Sequence, residues 1–309
     1  MSTARFARHV PLLREATAEA AWVQWQALGG QVAAREPASI VDPEALILVS
    51  LWLKDDEPRF WDLLAGFAQS GSRLLSVQRM RRLVIAFPPT SDERLGVFAQ
   101  AVSRTPGDPR WRGLAGSAHT AAGRHGKVAA PALRLARPGG LLLRLRTAFG
   151  VDVRIDALAY LLGHGGAPSS VREVADALGY AGNTVRGACD ALAAARLASV
   201  GPGRPARYHT SAERWGRLLG LATMPRWHAW WQGYAVALGL AGWLQSGEAR
   251  RASGAAASAL AREWMHDHRT ALAALGLEVP DLRDNPGEAF LPVFESTVEA
   301  LAAWLRGNA

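Results

Sequence analysis

Apolar positions recur at three- and four-residue steps along most of the chain, which predicts a protein built mainly of helices. Leu13, Ala16, Ala20, Val23 and Ala27 make one stripe, closed by Gly29 and Gly30. Asp42 followed by Pro43 and Glu44 reads as a helix start, because the aspartate caps free amides and proline suits the first turn. The helix it opens, through Leu53, is apolar nearly all round and is expected at the centre of a core. Further helices are expected over 59–69, 76–86 and 91–103, with Pro88-Pro89 between the last two. Near the other end, Phe290, Phe294, Thr297, Leu301 and Leu305 form an apolar stripe with Glu295 and Glu299 facing elsewhere. Leu260, Trp264, Ala271 and Leu275 form another, followed by Gly276.

The segment 141–212 has a denser code. Ile155, Leu158, Leu161 and Leu162 give one helix a core face, broken at Gly163 to Gly166. Ser170 with Glu173 three residues on is a capping box, so a second helix starts there, and Val171, Val174, Ala175 and Leu178 give it a buried side. Gly179 supplies a tight turn, and a third helix is expected from near Asn183 as N-cap, burying Val185, Ala188 or Cys189, Leu192 and finally Leu197. Residues 197–200 alternate like a strand, Gly201-Pro202-Gly203-Arg204-Pro205 is a turn, and 207–210 returns as the partner strand. Two short helices joined by a glycine-containing turn, followed by a hairpin, read as a helix-turn-helix with a wing.

Thr184-Val185-Arg186, Leu192 and Ala195-Arg196-Leu197, with Gly203-Arg204-Pro205-Ala206-Arg207-Tyr208, resemble the recognition helix and wing of bacterial winged-helix regulators of the MarR, ArsR and PadR types. The resemblance covers about residues 150–212, and at the position after Tyr208 this chain carries His209. It implies a third helix lying in the major groove and a wing touching the backbone or the adjacent minor groove. On such a helix Asn183, Thr184, Arg186, Gly187 and Asp190 face base edges, with Arg186 suited to a bidentate contact with guanine. Arg204 and Arg207 on the wing, and Ser169 or Ser170 at a helix start, are the phosphate candidates.

The expected fold class is therefore mostly α, with a central winged helix-turn-helix bearing a small β-hairpin. The expected divisions are a helical domain over 1–104, a basic Gly/Pro-rich linker over 105–140, the winged unit over 141–212 and a second helical domain over 213–309.

Charge sharpens this picture. The net charge is +8, almost all from arginine, since Lys54 and Lys127 are the only lysines. Between Arg73 and Arg146 fourteen basic residues face three acids, so the surplus concentrates beside the winged unit, where a phosphate-contacting arm and a solvated surface are both open readings. One cysteine, Cys189, excludes a disulfide framework and a cysteine-based zinc site. His266 and His268 lie two apart on a helix and face opposite ways, so no metal is expected. No phosphate-binding glycine loop or nucleophile elbow is visible, and neither an enzymatic activity nor a cofactor is expected.

The start MSTARFARHVPLL lacks the apolar core of a signal peptide, so a cytoplasmic setting is expected. Residues 227–247 carry no formal charge over the length of a membrane span. They hold His228, Gln232, Gln245 and four glycines, which favours a buried helix and no membrane.

The functional expectation is a DNA-binding transcriptional regulator, a repressor, acting on double-stranded DNA as a homodimer because one helix offers a thin code. Two alternatives stay open. One is an antitoxin or adaptor that holds a protein partner through its helical domains. The other is a sensor of a small effector, bound in an aromatic pocket of Trp227, His228, Trp231 and Tyr234.

Overall fold

A capped start at Asp42 and apolar faces at helical spacing produce what they dictate, a mostly helical chain with one small antiparallel sheet. The computed structural model describes residues 6, 8–30, 39–89, 91–104, 107–115, 132–281 and 283–309. In chain order the helices are α1 (His9–Ala27), α2 (Pro43–Leu53), α3 (Arg59–Ser70), α4 (Val77–Leu83), α5 (Ser91–Arg104), α6 (Arg112–Ala115), α7 (Leu141–Phe149) and α8 (Val153–Gly163). There follow strand β1 (Ser169–Ser170), α9 (Val171–Leu178), α10 (Gly182–Ala194), β2 (Ser199–Val200), β3 (Arg207–His209) and α11 (Ala212–Leu219). The chain closes with α12 (Trp230–Gln245), α13 (Gly247–Arg251), α14 (Gly254–Ala274) and α15 (Phe290–Asn308).

Two hydrophobic clusters organise these elements. The larger joins α1 to α5 with α12, α14 and α15, so residues from the first hundred and the last eighty share one interior. The second belongs to α7 to α11, with Tyr208 of β3 inside it and Ile40 and Trp227 packed onto it from outside the segment. The stretch 105–140 is in part structured: Asp108 and Trp111 are buried, and Trp111 packs edge-on to Phe98 at 5.4 Å. Residues 105–106 and 116–131 of that linker, including Arg124 and Lys127, lie outside the described residues. Among the described residues no helix is long and apolar enough to cross a membrane, and α12 is instead buried within the larger cluster.

Between the clusters lies a buried ionic network. Arg79 donates to Asp42 at 2.6 Å and to Glu44 at 2.7 Å, and Arg146 donates to Glu44 at 2.6 Å and to both carboxylate oxygens of Asp156 at 2.8 Å. All five side chains are at most 1% exposed. Tyr180, in the α9–α10 turn, completes the group by bonding Asp156 at 2.9 Å and Ser76 at 3.1 Å. Burial alone would raise the Glu44 carboxyl; the guanidiniums of Arg146 and Arg79 outweigh it and hold the group below the usual carboxylate range.

The same interface grips the C-terminal end of α9. The last carbonyls of a helix lack intrahelical partners, and here three in succession accept from the larger body. Asp176 O takes Gln232 Nε2 at 2.8 Å, Ala177 O takes Trp231 Nε1 at 3.0 Å, and Leu178 O takes Arg79 Nε at 2.6 Å. Gly179 then turns the chain with φ +71°, and a Cβ there would come within 2.5 Å of Leu83. Only glycine suits both the left-handed backbone and that approach.

Several sequence expectations are corrected by these details. Asn183 is not the cap of the third helix, which starts one residue earlier with Ala181 at the cap position and no side-chain cap bond. Leu197 is 42% exposed, because Ala198 takes the interior place. Glu295 does not face solvent: it is largely buried and pairs with Arg8 at 3.0 Å. The strand at Ser169–Ser170, two residues long, was too short for alternation to announce it.

Candidate nucleic-acid interface

The capping box at Ser170 and Glu173 is present and fixes where α9 begins. The sheet order is β1-β3-β2, with Ser169 opposite Tyr208 and Val200 opposite the same tyrosine. Held at its far end by three carbonyl bonds, α9 sets the direction of the Gly179 turn, and α10 follows with Val185, Ala188, Cys189 and Leu192 buried against α8 and α9. Burial pushes the Cys189 thiol up to about 11, so this cysteine is a packing residue.

The opposite face of α10 is bare. Asn183, Thr184, Arg186 and Gly187 are all exposed, and no described side chain bonds to them. Because Asn183 does not cap, its amide is available. Arg186 lies near enough to Tyr208 for its charge to be felt there. Asp190, on the same face one turn later, is already engaged: it accepts a hydrogen bond from the Tyr208 hydroxyl. Burial first, and that bond second, push the Tyr208 hydroxyl up to about 12. The pair ties β3 to α10, so Asp190 is a structural residue and does not join the open face.

The four phosphate candidates separate in the same way. Arg204 is exposed at the hairpin tip and has no hydrogen-bond or ion-pair partner among the described residues. Arg207 is engaged, donating to Pro168 O at 3.0 Å and to Glu173 at 3.0 Å, which staples β3 to the start of α9. The Ser170 backbone and hydroxyl, followed by Arg207, hold the Glu173 carboxyl below its ordinary value. Ser169 is fully buried, whereas Ser170 accepts the Glu173 N–H through its hydroxyl oxygen and keeps its own proton to donate, so of the two only Ser170 can still reach a phosphate.

The basic stretch beside this unit is partly internal as well. Arg79 and Arg146 are in the buried network, Arg94 bonds the Leu51 and Trp52 carbonyls, Arg110 pairs with Asp108, and Arg144 donates to Leu219 O. Counting charge along the sequence therefore overstated the positive surface available to a ligand.

The aromatic residues expected to line an effector pocket do not converge. Trp227 packs edge-on to Tyr160 in the smaller cluster, while Tyr234 is fully buried in the larger one. Trp231 is held by Ala177 O, and His228 sits edge-on to Trp230 and Trp304, with burial keeping its imidazole below the ordinary value. Among the described residues no cluster of three or more histidine, cysteine or acidic side chains could hold a metal ion.

Two features escaped the sequence reading. The ionic network was missed because its partners lie up to 102 residues apart, although an acid at Asp156 inside the apolar run Ile155 to Leu162 was a visible signal. The other is the left-handed backbone of Arg196, at φ +58°, which no side-chain pattern announces. In comparison with known proteins, no family model, no curated protein and no solved structure matches this chain.

Proposed function

We propose that this chain binds double-stranded DNA, with α9, the Gly179 turn and α10 acting as a helix-turn-helix and the 201–206 hairpin as its wing. One observation carries the reading: the outward face of α10 presents Asn183, Thr184, Arg186 and Gly187 with none of them used by the fold, beside a hairpin whose Arg204 is equally open. The helical body supports it by gripping the far end of α9, which leaves the reading face rigid and unobstructed.

Arg186 is the long donor on that face and pairs best with guanine O6 and N7, while Asn183 suits adenine. After Asp190 the helix continues as Ala191, Leu192, Ala193 and Ala194, so direct readout covers few base pairs. Affinity then rests on phosphate contacts, and specificity on two half-sites read by a dimer. The biological role proposed is transcriptional repression in a cytoplasmic setting.

Fluorescence anisotropy against a random-sequence duplex at low salt, followed by selection from a randomised duplex library, tests the reading. Enrichment of a short guanine-containing motif, lost in Arg186→Ala, supports it. Absence of duplex binding at low salt overturns it.

A further inference from the structure

On α10 an arginine and an aspartate, Arg186 and Asp190, stand four residues apart and both are exposed. Residues at that spacing are neighbours on a helix face, and opposite charges there pair. The preceding helix shows such a pair: on α9, Arg172 and Asp176, in the same order and spacing, approach to 3.7 Å. On α11, Glu213 and Arg217 approach to 3.6 Å. On α10 the pair does not form. Arg186 has no hydrogen-bond or ion-pair partner among the described residues, although its charge is felt at the Tyr208 hydroxyl.

What intervenes is Tyr208, whose hydroxyl donates to Asp190 Oδ1. Its strand, β3, is the middle one of the sheet, with Tyr208 opposite Ser169 on one side and Val200 on the other. The Tyr208 ring is 2% exposed and belongs to the smaller cluster. The hydroxyl is therefore in place before it bonds, whereas a long, exposed arginine gives up rotamer freedom to pair. Between a fixed hydroxyl and a mobile guanidinium, the carboxylate goes to the hydroxyl. Arg186 is left with all of its N–H donors.

We propose that Tyr208 is a positioning residue for sequence readout: its hydroxyl holds the Asp190 carboxylate toward β3 and so keeps the Arg186 guanidinium open for guanine. Without that hydroxyl, Asp190 turns to Arg186, four residues back, as Asp176 does to Arg172. A carboxylate on the guanidinium takes the donors that guanine O6 and N7 need, and it repels those acceptors as well. The consequence for readout rests on the duplex reading. The restraint of Asp190 does not, and it is measured without DNA.

The test has two arms, both on the full chain. Without DNA, the Nε–H signal of Arg186 is followed by nitrogen-15 NMR and assigned by its absence from Arg186→Ala. Tyr208→Phe keeps the buried ring; it should move that signal and slow its exchange with water, and adding Asp190→Ala should restore both. With DNA, fluorescence anisotropy at low salt gives the ratio of affinities for duplexes with and without a selected guanine motif. Exposed pairs at this spacing shift an equilibrium about twofold, so Tyr208→Phe should lower the ratio by about twofold or more. Tyr208→Phe with Asp190→Ala should recover the ratio, and Asp190→Ala alone should leave it unchanged. An Arg186 signal unmoved by Tyr208→Phe, or moved and not restored by Asp190→Ala, overturns the proposal. So does a ratio unchanged in Tyr208→Phe, or lost without recovery in the double variant. A parent chain that binds no duplex overturns the DNA reading and the readout role with it, and the first arm then decides the restraint of Asp190 alone.

Discussion

Replacing Arg146 by methionine is the sharpest probe of how the two clusters are joined. Its guanidinium makes five bonds: two to Asp156 at 2.8 Å, two to Glu44 at 2.6 and 3.3 Å, and one to Leu74 O at 2.8 Å. Methionine fills the same volume with no charge. The site then holds three carboxylates, Asp42, Glu44 and Asp156, against the single guanidinium of Arg79. Breaking one partner out of a buried pair costs about 3–5 kcal/mol. A second route gives a similar figure. A stranded carboxyl escapes its cost by taking up a proton, and doing so at pH 7 from an ordinary value near 4 costs about 4 kcal/mol, at about 1.4 kcal/mol per pH unit. Urea unfolding followed by circular dichroism should therefore show a loss of about 4 kcal/mol, and thermal unfolding a fall of roughly 8–16 °C.

The double variant Arg146→Met with Asp156→Asn removes one charge of each sign and leaves Tyr180 a hydrogen-bond partner. It should recover more than half of that loss. The deficit of the single variant should also shrink as pH falls from 7 to 5, because proton uptake becomes cheaper. A single variant within about 1 kcal/mol of the parent, or a double variant no better than the single, refutes the assignment of this network as the joint.

Four further outcomes follow from the same geometry. The Glu44 carboxyl is held below its ordinary value of 4.5, so its contribution is complete above that value and is lost progressively as pH falls below it; the melting temperature should fall on acidification there, and a rise contradicts it. Arg204→Ala should reduce the slope of log affinity against log salt by about one unit, whereas Arg207→Ala should leave the slope nearly unchanged and cost about 0.5–1 kcal/mol of stability through its half-exposed pair with Glu173. Tyr208→Phe strands the Asp190 carboxylate without its bond to β3 and should cost about 1–2 kcal/mol in urea unfolding; an unchanged midpoint removes that bond from the account. Cys189, buried and with its thiol pushed up, should react with a disulfide reagent at pH 8 only as fast as the protein unfolds, and rapid labelling of the native chain contradicts its packing role.

What was legible in the sequence was local. The Asp42 cap, the Ser170–Glu173 box and the Gly179 turn depend on residues within four positions of one another, and each stands where its chemistry requires. The exposed set on α10 follows from helical periodicity alone, which is why Asn183, Thr184, Arg186 and Gly187 share a face. Side chains that bond across long separations were not legible. Asp190 and Arg207 look like surface readers until β3 folds back onto α10 and α9 and engages them. Arg79 and Arg146 look like part of a basic arm until two carboxylates each meet them in the interior. Aromatic density likewise cannot tell a pocket from a core, and Trp231 and Tyr234 belong to the core.

The most direct test of duplex binding is fluorescence anisotropy of the parent chain and Arg186→Ala on one labelled duplex carrying the selected motif and one scrambled duplex, from low to physiological salt. The account predicts salt-dependent binding of both duplexes by the parent, tighter on the motif, and a variant that keeps the scrambled affinity while losing about 1–3 kcal/mol of preference. Equal losses on both duplexes, or a parent chain that binds neither at the lowest salt, contradict it.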